Sequence, residues 1–203
     1  MNYSDIQVPF MRKEEIKIKA DSFRQKYWDD SIPVNIEKII EFKIGLDIIP
    51  LPNLEKLCNT DAFISSDWES IYVDNDKYMD DRYQNRLRFS LAHEIGHFVL
   101  HSNIYNQFKI SSIEEFYRFV ENMPADQYGY LETQCNKFAG FLLVPRNQLT
   151  SELDKLLKNL KAHGDLNFEN LDKEILYSYI ATPISKIFGV SAEAAEIILN
   201  ELK

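Results

Sequence analysis

Between Leu87 and Leu100 the chain is apolar almost all the way round a helix, and this segment constrains the fold more than any other. Leu87, Leu91, Ile95 and Val99 recur every four residues as one stripe, flanked by Phe89, Ala92, Phe98 and Leu100. Such a helix is stable only when it is buried. The fold must therefore be built around it, from a cap at Asp80 or Asp81 to about His101. The same segment nevertheless carries His93, Glu94 and His97, with His101 just beyond it. These polar side chains lie off the apolar stripe, so they must face an internal cleft.

His93-Glu94-Ile95-Gly96-His97 is an H-E-x-x-H run. Residues four apart on a helix stand one above the other, so two imidazoles can reach one metal ion. The glutamate between them projects toward the same opening, where it can act as a base on a water beside that ion. The expected metal is Zn2+. Mn2+ or Fe2+ also suits these donors, because availability helps decide occupancy.

Two histidines leave such an ion short of a third protein ligand. His101 lies about 12 Å along the helix axis from His93, too far to share one ion with the pair. The longer motif with a third histidine would need that residue at position 103, where Asn103 stands. His101 is therefore read as a supporting, capping or surface residue. Glu132 is the better ligand: it opens a second apolar helix, Leu131–Val144, that Pro145 stops. Asn136, one turn on, can hold the outer nitrogen of a ligand imidazole. Ala139 and Gly140 continue this face with small side chains, which lets the two helices approach closely. Cys135 lies beside the face and by type could be a thiolate ligand, but a lone buried cysteine is normally a small packing residue. Tyr128, Tyr130, His101, Arg86 and Arg88 all suit oxyanion stabilisation by type, and the sequence does not choose among them.

Elsewhere the periodicity predicts a helix from about Arg12 to Trp28, and another through Ile36, Ile39, Ile40 and Ile44 that ends at Gly45. Strand-like runs follow at Leu46–Ile49, Ala62–Ser65 and Ser70–Val73, with Pro50, Pro52 and Asn53 between the first two. Ser102 to Tyr130 reads as less regular. Helices are expected at Arg146–Lys161, Asp172–Tyr179, Pro183–Phe188 and Ala192–Leu202, with His163-Gly164-Asp165 as a loop.

At 203 residues and 45% hydrophobic content, the chain can bury one proper core, with or without a small appendage. A net charge of −9 argues against nucleic-acid binding as its main business, which needs Lys and Arg gathered on one face. Arg82, Arg86 and Arg88 are instead expected on a solvated flank or against carboxylates. The N-terminus lacks a basic-then-apolar export signal, no apolar run approaches a membrane span, and the two cysteines read as free thiols. A soluble cytoplasmic protein is the expectation, and its oligomeric state is left open.

Two blocks carry a resemblance. Arg88-Phe89-Ser90-Leu91-Ala92-His93-Glu94-Ile95-Gly96-His97-Phe98-Val99-Leu100-His101 is the first, and Glu132-Thr133-Gln134-Cys135-Asn136-Lys137-Phe138-Ala139-Gly140-Phe141-Leu142-Leu143-Val144-Pro145 the second. Together they resemble the ImmA/IrrE family of metallopeptidases, with Cys135 standing where the family usually has alanine. Pro33–Ile40 and Ile71-Tyr72-Val73-Asp74 are similar to its N-terminal part.

The resemblance implies an α+β fold: a thermolysin-like zinc core with a small mixed or mostly antiparallel sheet. It divides the chain into a metallopeptidase domain at 1–145 and a helical C-terminal region at 146–203. His93, His97 and Glu132 become the implied metal ligands and Glu94 the catalytic carboxylate. The implied substrate is a regulatory protein of the helix-turn-helix type, a repressor or antitoxin whose cleavage relieves repression. Non-proteolytic regulators and toxin-like partners are the alternatives. The segment Ile184–Ala195 itself resembles a helix-turn-helix with Ser191 as N-cap. Its second helix carries Glu193, Glu196 and Glu201, the wrong charge for DNA, so it reads as a packing or substrate-docking module.

Overall fold

A computed structural model describes residues 3–163 and 172–202. Gly164 and Asp165, expected in a loop, lie outside the described residues. The helices in chain order are α1 (Lys13–Tyr27), α2 (Ile36–Lys38), α3 (Leu54–Cys58), α4 (Asn75–Tyr78), α5 (Gln84–Leu100), α6 (Ser102–Tyr105), α7 (Ile113–Asn122), α8 (Ala125–Leu143), α9 (Arg146–His163), α10 (Lys173–Phe188) and α11 (Ala192–Asn200). The strands are β1 (Asp47–Leu51), β2 (Ala62–Ile64) and β3 (Ser70–Asp74). This is the α+β arrangement expected: mostly helical, with a small mixed sheet. β3 is central, parallel to β1 and antiparallel to β2.

α5 lies at the middle of the stack. β2 packs on one side of it and α8 on the other, and α1 covers the far side of α8. Of the stripe, Leu87, Leu91 and Ile95 are buried, as is flanking Ala92, while Val99 near the end of the helix is only partly buried. The expected cap, Asp80, acts one turn earlier than the helix itself. Its carboxylate accepts from Arg82 N and starts the single turn Asp81–Tyr83 that leads into α5. A second helix does end at Gly45, but over Ile39–Ile44 the turn widens, with Gly45 N donating to the Ile40 carbonyl five residues back.

Several expectations are corrected. Pro50 lies inside β1 rather than after it, which is tolerated because β1 is an edge strand and needs no donor there. The stretch from Ser102 to Tyr130 is not irregular. α7 begins with Ser112 accepting from Glu115 N, while the Glu115 carboxylate accepts from Ser111 N, so a capping signal was present in the sequence. Glu132 sits two turns inside α8 instead of opening it. Gly129 disfavours helix by about 1 kcal/mol relative to alanine, but the early turns are tied down: Gln127 Oε1 accepts from Val8 N at 2.8 Å. The two expected helices around Pro183 are one, α10, whose Ile180, Ala181, Ile184 and Phe188 are buried on both sides of the proline. Burial of that seam outweighs the proline's missing hydrogen bond.

Candidate metal centre

Small side chains set the spacing of α5 and α8. A Cβ on Gly96 would stand 3.1 Å from the Cα, Cβ and Sγ of Cys135, so the helices touch where H-E-x-x-H contributes its glycine. Gly140, expected to serve this approach, faces Ile198 of α11 instead.

Across this seam the side chains converge. His93 Nε2 and His97 Nε2 lie 3.2 Å apart. The Glu132 carboxylate reaches both, with Oε2 at 3.4 Å from His93 Nε2 and Oε1 at 3.6 Å from His97 Nε2. Asn136 Oδ1 accepts from His93 Nδ1 at 2.9 Å, the supporting contact that the spacing suggested. Glu94 is buried beside the two histidines, and its Oε2 accepts from Ile64 N of β2 at 2.9 Å. One carboxylate oxygen is thereby held by the sheet, and the other is left for the cleft.

A cavity of ≈ 220 Å³ contains His93, Glu94, His97, Glu132, Tyr105 and Tyr128. It shares Asp61, Arg86, Phe89, Ser90 and Asn136 with a neighbouring cavity of ≈ 510 Å³ that runs to Ala194, Ile197 and Ile198 of α11. The oxyanion candidates now separate. Tyr128 and Arg86 line the cleft. Tyr130 is exposed, His101 is buried behind His97, and Arg88 donates to the Val34 carbonyl. Arg82 and Arg86 pair with Asp80 and Asp61, the carboxylate partners anticipated for them.

Burial governs the electrostatics. It pushes Glu94 up to about 8, against the opposing charge of His93. Burial lowers His93, but the Glu132 hydrogen bond and the Glu94 and Glu132 charges outweigh it and carry the imidazole to about 9. Burial also raises Glu132, yet the two imidazoles, His93 foremost, hold it well below the ordinary carboxylate range. His101 falls to about 3, through burial and then the charge of His97. Burial, reinforced by the Glu132 and Glu94 charges, pushes the Tyr128 phenol up, so it stays a neutral donor. Burial likewise keeps Cys135 a neutral thiol.

An ionised carboxylate set against two imidazole nitrogens is a donor set for a divalent cation. A second grouping is available among the described residues: His93, His97 and Cys135 present ligand atoms within 4.8 Å of one another. Sequence reasoning ranked Cys135 as a packing residue ahead of a ligand, and overlooked Gln134, Ile64 and Tyr105. Nothing in sequence marks a backbone N–H such as that of Ile64.

No helix among the described residues is long and apolar enough to cross a membrane. A comparison with curated proteins finds no match to the chain. The model of the peptidase M78 family, described as the IrrE N-terminal-like domain, matches residues 80–200. That span holds the two-helix site whole, from the start of α5 to the end of α11. The chain thus belongs to the ImmA/IrrE family and has the peptidase-type function of that family.

Proposed function

We propose that the protein is a Zn2+-dependent endopeptidase, with His93, His97 and Glu132 as the metal ligands and Glu94 as the catalytic carboxylate. The observation that carries this reading is the convergence of two imidazole Nε2 atoms 3.2 Å apart on one carboxylate at 3.4 and 3.6 Å. Glu132 is favoured over Cys135 because it is already held ionised between the two rings. Burial pushes the Cys135 thiol up, favouring its neutral form, and its Sγ lies 3.4 Å from His101 Nδ1. A bound zinc ion supplies acidification of a water and polarisation of the scissile carbonyl.

The chain's own residues supply the rest. Ile64 N holds one Glu94 oxygen, which aims the other at the attacking water. Glu94 takes the water's proton and delivers it to the leaving amine. Burial favours the protonated form of Glu94, so the carboxylate takes the water's proton readily and holds it until the more basic leaving amine accepts it. Tyr128, a neutral phenol on the cleft wall, donates to the developing oxyanion.

The substrate we propose is a polypeptide of the regulatory, DNA-binding class, cut at one position, with the ≈ 510 Å³ cavity beside the cleft taking the flanking residues. Zinc-loaded protein and its Glu94→Gln variant, each incubated with the repressor encoded beside its gene, test this. Cleavage by the first and not the second is expected. Cleavage by both, or zinc binding that survives loss of Glu132 unchanged, would overturn the assignment.

A further inference from the structure

Behind the cleft, a buried line of hydrogen bonds dictates which nitrogen of His97 carries a proton. Gln134 lies two residues beyond Glu132 on α8, and its Nε2 donates to the Pro9 carbonyl at 2.9 Å. A carbonyl can only accept, so this contact sets the amide's orientation. Gln134 Oε1 is then the atom that faces His101 Nε2, at 3.1 Å. An amide oxygen also only accepts, so His101 is protonated on Nε2 and bare on Nδ1.

His97 Nδ1 lies 3.2 Å from that bare nitrogen and must donate to it. Cys135 Sγ, 3.4 Å from the same nitrogen, is a second donor to it and offers no competing acceptor of comparable strength. His97 therefore carries its proton on Nδ1. Its Nε2 is left bare toward the cleft, and the proton it faces belongs to His93, whose Nε2 lies 3.2 Å from it and 3.4 Å from Glu132. His101 is 1% exposed and Gln134 6%, so water scarcely competes for these groups. His93 has no such depth behind it, for its Nδ1 meets Asn136 at the cleft.

We infer that Gln134 and His101 are positioning residues which, anchored on the Pro9 carbonyl, lock His97 in the tautomer that presents Nε2 to the metal. The inference rests on the reading of His97 as a ligand. The anchor belongs to an N-terminal strap laid over α8: Ile6 is buried, Tyr3 stacks on Phe108 with centroids 4.8 Å apart, and Val8 N donates to Gln127. Loss of the relay leaves the ring free to present its lone pair either way, and removal of such outer hydrogen bonds typically weakens metal binding about 10- to 100-fold.

Zinc affinity, read by competition with a chromophoric chelator, and imidazole 15N shifts of the zinc-free protein test the relay together. Gln134→Leu removes the acceptor for His101. Gln127→Leu removes one strap contact, at Val8, but leaves Pro9, Gln134 and His101 in place, since buried Ile6 and the Tyr3–Phe108 stack still hold the strap. Gln134→Leu is expected to weaken zinc binding about 10-fold or more and to mix the His97 tautomers, while Gln127→Leu leaves both unchanged. Equal weakening by both variants, or unchanged affinity in a folded Gln134→Leu protein, overturns the relay. Should Gln134→Leu fail to fold, the wild-type spectrum still decides: a proton on His97 Nδ1 supports the relay and one on Nε2 overturns it. Wild-type protein that binds no zinc instead sinks the reading on which the relay rests.

Discussion

The two walls of the cleft are built on opposite terms. Where α5 meets α8 the polar groups of the site each have a specified partner: Glu94 has Ile64, His93 has Asn136 and His101 has Gln134, with Gly96 against Cys135 leaving no spare space. Along α11 the lining is generic and apolar. Gly140 has ordinary room beside Ile198, Ile197 is 56% exposed, and polar contacts stay at the rim, where Glu201 meets Lys13 at 2.6 Å and Arg146 at 3.3 Å. A buried polar group tolerates no displacement because it loses its partner at full desolvation cost. An exposed apolar surface can change residue at small cost to the fold. The first wall suits chemistry common to a family, and the second suits the choice of one substrate.

The largest effect should come from Glu94→Gln on the first wall. Hydrolysis of the substrate should fall by at least about 10²-fold, measured as initial rate, with zinc content unchanged. Next, Asp61→Asn removes the partner of buried Lys77 at the mouth of the cleft, where Asp61 also receives Arg86 Nη2 at 3.0 Å. Breaking a buried pair from one side costs about 3 kcal/mol, and the lysine keeps only the half-exposed Glu55 at 2.6 Å. Although burial raises Asp61, its bonds to Arg86 and Lys77 leave the folded pKa below the ordinary value of 3.8. The wild-type advantage is therefore complete above that value and is lost as pH falls through the depressed folded pKa. Denaturant melts of both proteins at neutral and acid pH should show the gap narrowing only in acid.

Smaller changes set the walls against each other directly. Gly96→Val forces a side chain into the Cys135 contact and should cost about 2 kcal/mol, with zinc affinity falling alongside the melting temperature. Ile197→Glu should lower kcat/KM for the protein substrate about 10-fold, roughly 1.4 kcal/mol, while the melting temperature stays put. Gly140→Ala should be smallest and of opposite sign. A Cβ there meets Ile198 at an ordinary 3.6 Å, and the gain in helix propensity is up to about 1 kcal/mol. A Gly140→Ala protein as damaged as Gly96→Val would erase the distinction between the walls.

Much of the site was legible because helical spacing alone places residues on a face. His93, Glu94 and His97, and Glu132 with Asn136, each lie within one or two turns of a single helix, and local geometry carries them. Ser191 was readable as an N-cap for the same reason, and its Oγ accepts from Ala194 N at 3.0 Å. Gly189 ends the preceding helix with φ +63, next to Arg88, where a side chain would be strained. What escaped depends on contacts distant in sequence. Gln134 meets Pro9 across 125 positions, and Glu94 meets Ile64 across 30. The early turns of α8 and the continuity of α10 through Pro183 were misjudged because local propensity is weak beside burial of a shared seam.

By itself, the sequence determined that a buried helix must carry two imidazoles and a carboxylate into a cleft, and that a second helix with a glutamate must face it. Periodicity and residue type suffice for that, since both are properties of one helix at a time. Only the tertiary structure decided how the two helices meet: that Gly96 and not Gly140 sets their distance, and that Cys135 is drawn in beside the site. It also decided that His101 and Gln134 stand behind His97. Those outcomes depend on packing and hydrogen-bond satisfaction among elements far apart in the chain, which no single helix contains.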